Sequence, residues 1–237
     1  MNPIRPKPSP RAKPGRSHCR ALTRTDLLFT VAAIAALAAL LVTPLATIRR
    51  KARLSLCLAN LQQITRAVLL YSEHNRKVLP GVFSGQSGDL WWWYKEQVKG
   101  YAGLSGPSST NDRVFACPDD RGYSHPGPFW RNGRFDYGSY VYNGVTLPGA
   151  PNLSGWPLES VKFPRRTLLV MEWTAHAPLS WHKSRTGREN APFYCDAQSV
   201  VGYVDGHVSF TKIYYDGYNA AYTRNPIAGY DYKYSRD

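Results

Sequence analysis

The chain has 237 residues, a net charge of +14, and 7 Trp and 16 Tyr set among 19 Gly and 18 Pro. That aromatic content excludes a largely disordered chain, and the Gly and Pro content points to short strands, turns and ordered loops. Much of the positive charge flanks a single apolar run, which argues for contact with lipid and against a nucleic-acid partner.

Residues 1–21 form a Pro-rich basic leader carrying Arg5, Lys7, Arg11, Lys13, Arg16 and Arg20, without apolar periodicity. From Leu27 to Ile48 there is no charged residue. As a helix, a run of about 22 residues spans roughly 33 Å, the depth of a bilayer core. Ala and Leu dominate it, and both favour helix. Thr30, Thr43 and Thr47 can bond back to helix carbonyls, and Pro44 is better tolerated in a membrane helix than in a soluble one. A buried core helix is the weaker reading, because nothing else in the chain could wrap such a stretch. A cleaved secretory signal has an apolar region of only about 7–15 residues and a small-residue cleavage site. Here Arg49, Arg50, Lys51 and Arg53 follow instead. The leader is the more basic flank, so the sequence predicts a membrane segment over 22–48 with its N-terminus in the cytoplasm.

The helix is expected to start near Thr25 or Asp26, an acid suited to a first helical turn. It is expected to continue through 49–76, where Leu54, Cys57, Leu58, Leu61, Ile64, Val68 and Tyr71 recur at spacings of three and four. Its end is predicted near His74 or Asn75, ahead of Pro80-Gly81. Residues 77–237 are expected to form one β-rich soluble domain. Arg113–Cys117, Ser139–Tyr142 and Thr167–Trp173 read as short strands. Val200–Ile213 reads as a hairpin turning on Asp205-Gly206. The predicted fold class is α+β, a long N-terminal helix whose second half packs on a C-terminal antiparallel sheet.

An acid at the start of an apolar helix, behind a short basic leader, resembles type IV pilins and the pseudopilins of type II secretion. The resemblance runs from Ala21 to about Asn75. It continues in islands that are similar to prepilin-type cleavage/methylation proteins with a G-type pseudopilin-like N-terminus. These islands are Phe115-Ala116-Cys117-Pro118, Ser139-Tyr140-Val141-Tyr142-Asn143, His182 and Asp205-Gly206-His207-Val208. Ala21 stands where the family usually has Gly, Leu22 where it has Phe, and Asp26 where it has Glu; Arg24 adds a charge to a usually apolar position. The resemblance implies cutting by a prepilin peptidase between Ala21 and Leu22. It also implies pairing of Asp26 with a neighbouring subunit's new terminal amine, and assembly with other pilin or pseudopilin subunits at a bacterial inner membrane. The C-terminal domain would be periplasmic. The expected function is that of a structural subunit rather than an enzyme.

Several residues carry alternatives. Asp26 serves either assembly or as a helix cap. Cys117 and Cys195 either pair, if the domain faces an oxidising compartment, or stay as two buried thiols. Trp91, Trp92 and Trp93 either offer a surface to a glycan or protein partner, or send alternate side chains into the core beneath the long helix. No catalytic residue is assigned, because there is no GxSxG and Cys195 with His182 or His207 is a pairing of numbers alone. Glu172, His176, His182, Asp205 and His207 are ligand types, but their spacing fits no standard metal pattern, so no metal site is assigned. No cofactor is expected; calcium on loop oxygens follows only by analogy with pseudopilins.

Overall fold

The computed structural model describes residues 23–82, 90–122, 127–145, 149–176, 179–182, 197–214 and 225–237, with backbone alone for 39–44, Leu90 and His176. The processing positions Ala21 and Leu22 and the thiol of Cys195 lie outside these residues. The chain divides into two compact units, residues 1–47 and 48–237. Helix α1 runs from Arg24 to His74 and so begins in the first unit and ends in the second.

In the first unit α1 starts on a reciprocal cap. Asp26 Oδ2 accepts hydrogen bonds from the Thr23 backbone N–H at 3.1 Å and the Thr23 hydroxyl at 2.7 Å. The Asp26 N–H returns a 3.2 Å bond to Thr23 Oγ1. Donors that a helix start would leave orphaned are thereby satisfied, as in a capping box. Beyond the cap the described apolar side chains are exposed. Leu28 is 69% exposed, Phe29 76% and Ile34 66%. Thr30 bonds back to the Leu27 carbonyl at 2.8 Å, so its hydroxyl is satisfied within the helix. Among the described residues no helix is long and apolar enough to cross a membrane, a set that leaves out the side chains of 39–44 in the middle of the uncharged run.

In the second unit α1 presents its apolar stripe to a four-stranded antiparallel sheet of order β1-β2-β3-β4. The strands are β1 (Tyr140–Tyr142), β2 (Leu168–Glu172), β3 (Gln198–Tyr203) and β4 (Val208–Lys212). Cys57, Leu61, Ile64, Val68 and Tyr71 of α1 are buried, as their spacing predicts. They share one core with Tyr140, Tyr142, Leu169, Val170 and Val200. Alternate strand residues Val141, Met171 and Val201 point to the other face. There the C-terminal Tyr232 and Tyr234 cover them, drawn in by a parallel bridge between Thr167 and Lys233. Leu169 and Val170 share a face because the β2–β3 register shifts between Leu168 and Val170.

Three sequence expectations are corrected. Arg113–Cys117 is not a strand; Arg113–Phe115 forms a 3-10 turn. The cause is local: Ser109 Oγ accepts from the Asn111 N–H and Asp112 Oδ2 from the Ser109 N–H, winding the chain before it can extend. The tryptophans lie on a helix, α2 (Leu90–Val98), so their burial follows a helical period rather than alternation. Tyr94, Lys95 and Val98 form its buried face, while Trp93 stays 45% exposed. The third correction, the partner of Cys117, concerns the site below.

At Gly202 α1 comes close to the sheet. A Cβ built there would sit 2.1 Å from Thr65 Oγ1, which is itself fully buried. Gly202→Ala is therefore expected to destabilise the fold by roughly 2 kcal/mol through overpacking. Adding Thr65→Ala removes the hydroxyl and is expected to restore most of that loss. Denaturant midpoints of the two variants check it, and a Gly202→Ala midpoint equal to wild type would refute the close approach.

Candidate functional site

A buried cluster of sulfur, carboxylate and imidazole groups lies under α1. Cys57, on the α1 stripe, is fully buried and bonded to Cys117, which follows the 113–115 turn. The loop is held to α1 by Asn60, three residues on from Cys57. Its side-chain amide donates to the carbonyls of Ala116 at 2.9 Å and Arg113 at 3.3 Å. Cys117 therefore pairs with Cys57 and not with Cys195. An oxidised pair needs its Cα atoms close, and these are 5.1 Å apart.

Two ionisable groups face the sulfurs. Glu172, the last residue of β2, is fully buried. Its Oε2 accepts a 2.8 Å bond from the Val200 N–H on β3, and its Oε1 faces His182 Nε2 at 2.7 Å. Cys117 Sγ lies 3.4 Å from Glu172 Oε1 and 3.8 Å from His182 Nε2. On the far side of the ring, His182 Nδ1 meets Asp119 Oδ2 at 3.0 Å. Arg53, one turn before Cys57 on α1, reaches Asp119 Oδ1 at 3.2 Å. A salt-bridged chain thus runs from the helix surface into the cluster.

Electrostatics follow from this order. Burial alone would lower the His182 pKa, but Glu172 and Asp119 on its two nitrogens hold the cation and raise it to about 9. Burial would raise Asp119, yet the His182 hydrogen bond and the charges of His182, Arg53 and Arg121 outweigh it and leave the carboxyl below its ordinary value. In the oxidised pair, then, His182 donates from both nitrogens to two carboxylates.

A second polar knot fixes the loop that carries Cys117. The Ser139 hydroxyl accepts from the Cys117 N–H at 3.0 Å and donates to Asp120 Oδ2 at 2.7 Å. Asp120 also accepts from the N–H groups of Gly122 at 2.8 Å and Phe129 at 2.9 Å. Burial nonetheless pushes Asp120 up to about 6. The islands Phe115-Ala116-Cys117-Pro118 and Ser139-Tyr140-Val141-Tyr142-Asn143 are therefore adjacent in space, joined by this serine.

The structure sorts the candidate ligands into two places. Glu172 and His182 meet in the cluster, whereas Asp205 and His207 bond each other at the β3–β4 turn. The side chain of His176 lies outside the described residues. Cys57 and Asp119 are the members that spacing did not reveal, although Cys57 sat on the buried stripe and was the one thiol there. Cys117, His182 and Asp119 have the order of a nucleophile, base and orienting acid. The sulfur is fully buried and already bonded, so this order offers no substrate a path.

The tryptophans take separate roles. Trp92 packs edge-on to Phe135 with ring centroids 5.2 Å apart, and Trp91 packs at the margin of the tyrosine-rich core. No family model, curated protein or solved structure matches this chain.

Proposed function

We propose that the chain is a pilin-like structural subunit, held in a bacterial inner membrane by residues 22–48 and assembled through α1 into a type II secretion or type IV pilus-like filament. The observation that carries this reading is the exposure of the first half of α1. Leu27, Leu28, Phe29, Val31, Ile34 and Leu37 occupy all sides of the helix and are each more than half exposed. A helix that is apolar all round has to be covered, and among the described residues these side chains stay exposed. Lipid before assembly, and the helices of neighbouring subunits after it, would do so. The Cys57–Cys117 disulfide supports placing the second unit outside the cytoplasm, since such bonds persist in oxidising compartments.

In this reading prepilin peptidase releases residues 1–21 and leaves an amine on Leu22. Asp26 lies one helical turn beyond it. A carboxylate near the membrane boundary is costly to bury alone, and pairing with a neighbour's amine would neutralise both charges. The cap from Thr23 holds Asp26 until a partner arrives.

Expression of the full chain with prepilin peptidase tests both steps. The mature N-terminus is expected at Leu22, and Asp26→Ala is expected to insert in the membrane normally while losing crosslinked oligomers at least tenfold. An intact leader, or wild-type oligomer levels in Asp26→Ala, would overturn the reading.

A further inference from the structure

We propose that Cys57, Cys117, Glu172 and His182, with the two cysteines reduced, form a four-ligand zinc(II) site that oxidation to the disulfide closes. The four donor atoms lie within 4.8 Å of one another and all four residues are buried. They come from α1, the 113–117 loop, the end of β2 and the 179–182 segment, so the fold itself brings them together.

The donor set selects the metal. Two thiolates, an imidazole and a carboxylate are a borderline-soft mixture suited to tetrahedral zinc. Calcium prefers six to eight oxygens, which this cluster does not offer. From Zn–S near 2.3 Å and Zn–N near 2.0 Å, tetrahedral ligand atoms stand roughly 3.3–3.8 Å apart. Cys117 Sγ already lies 3.4 Å from Glu172 Oε1 and 3.8 Å from His182 Nε2.

The surroundings are those of a metal centre more than of a disulfide. A structural disulfide needs no ionisable neighbours, yet Glu172 is fully buried and His182 is 6% exposed against it. Each has its outward atom fixed and its inward atom turned to the sulfurs. His182 Nδ1 is held by Asp119, and Glu172 Oε2 by the Val200 N–H. A carboxylate on the far nitrogen of a ligating histidine is the recurring second layer of zinc sites. The Cys117 N–H is anchored on Ser139 in the same way.

The exchange balances. A dithiol reductant takes up the sulfur–sulfur bond as its own disulfide and leaves thiols on Cys57 and Cys117. Zinc then displaces the two thiol protons and the proton on His182 Nε2. The metal and the disulfide are alternative clasps between α1 and the 113–117 loop. The chain would use the first before oxidation and the second after it.

Cobalt(II) titration of the full chain in detergent, metal-free and reduced with a phosphine under argon, is the test. The expected result is uptake of one cobalt per chain, with the visible absorption of tetrahedral cobalt and thiolate-to-cobalt charge transfer in the near ultraviolet. Zinc should displace it. The oxidised wild-type chain should take up none, a comparison that needs no variant. Cys117→Ser should lose most of the charge-transfer band, and Asp119→Asn should keep the spectrum while weakening affinity by about tenfold or more. The proposal fails if the reduced chain, folded by circular dichroism, shows no stoichiometric uptake. It fails equally if the cobalt is octahedral, if oxidised and reduced chains bind alike, or if Cys117→Ser and His182→Gln bind as wild type does.

Discussion

Cys57→Ala is expected to lower the stability of the oxidised chain by about 4 kcal/mol, the chain-entropy value for a closed loop of some 60 residues. The two cysteines are 60 residues apart in sequence, and their bond joins α1 directly to the 113–117 loop. Removing it frees that loop in the unfolded chain. It also strips the loop's covalent tie to α1 in the folded one, leaving the Asn60 hydrogen bonds and the Arg53–Asp119 pair between them. Guanidinium unfolding of the full chain in micelles, with a chelator so that no metal replaces the bond, measures the effect. Adding reductant should bring wild type down to the level of Cys57→Ala and leave the variant unmoved. Cys195→Ala should unfold as wild type does. A wild-type midpoint for oxidised Cys57→Ala, or a loss in Cys195→Ala matching that of Cys117→Ala, would return the pairing to Cys117 and Cys195.

This pairing shows where sequence reasoning reached and where it stopped. The α1 stripe was legible because a helix buries residues three and four apart, and Cys57 through Tyr71 keep that spacing, with Asn60, Gln63 and Arg66 on other faces. The β3–β4 hairpin was legible because Asp205-Gly206 permits the positive φ that Gly206 adopts, at 93°. The segment Arg113–Cys117 misled because its β-branched and aromatic residues suit a strand. Ser109, Asp112 and Asn60 supply hydrogen bonds that favour a turn instead. The Ser109–Asp112 turn lies just ahead of the segment, and Asn60 lies outside any short window. The cluster was illegible for the same reason at larger scale. Cys57, Cys117, Glu172 and His182 come from four elements with no repeating interval. What unites them is strand register, which ends β2 at Glu172 opposite Tyr140, and the fold of α1 across the sheet.

The capping box bears on how an anchored subunit could be made ready for assembly. Among the described residues Asp26 accepts two bonds from Thr23, which in the proposed assembly an arriving amine would replace with a charge pair. Its hydrogen-bonding groups are at the helix start, where negative charge is favoured by the helix dipole. The acid is thus favoured at the helix start. In the second unit, by contrast, the buried charged groups Lys95, Glu172 and His182 are paired with residues of the same unit. Under the proposed assembly, the exposed apolar side chains of the first unit and its acid would be the groups that neighbouring subunits cover.

Lys95→Met is expected to cost roughly 3–5 kcal/mol, the usual penalty for removing one partner of a buried ion pair. Lys95 is only 1% exposed on the inner face of α2. Its ammonium meets Asp112 Oδ2 at 2.9 Å and donates to the Asp136 carbonyl at 2.6 Å, and it lies 5.0 Å from the centre of the Phe115 ring. Three segments therefore converge on one cation: α2, the turn that leads to Cys117, and the loop before β1. Methionine fills a similar volume, so the loss would be electrostatic rather than steric. Asp112 would keep only the Ser109 N–H on that oxygen, with its charge uncompensated. Adding Asp112→Asn removes the stranded charge and is expected to recover at least half of the loss. A double-mutant cycle by guanidinium unfolding separates the pair's coupling from packing. If Lys95→Met unfolds within about 0.5 kcal/mol of wild type, as an ordinary surface substitution would, Lys95 does not hold α2 in place. A recovery in the double variant would show that the loss came from the stranded Asp112 charge rather than from packing.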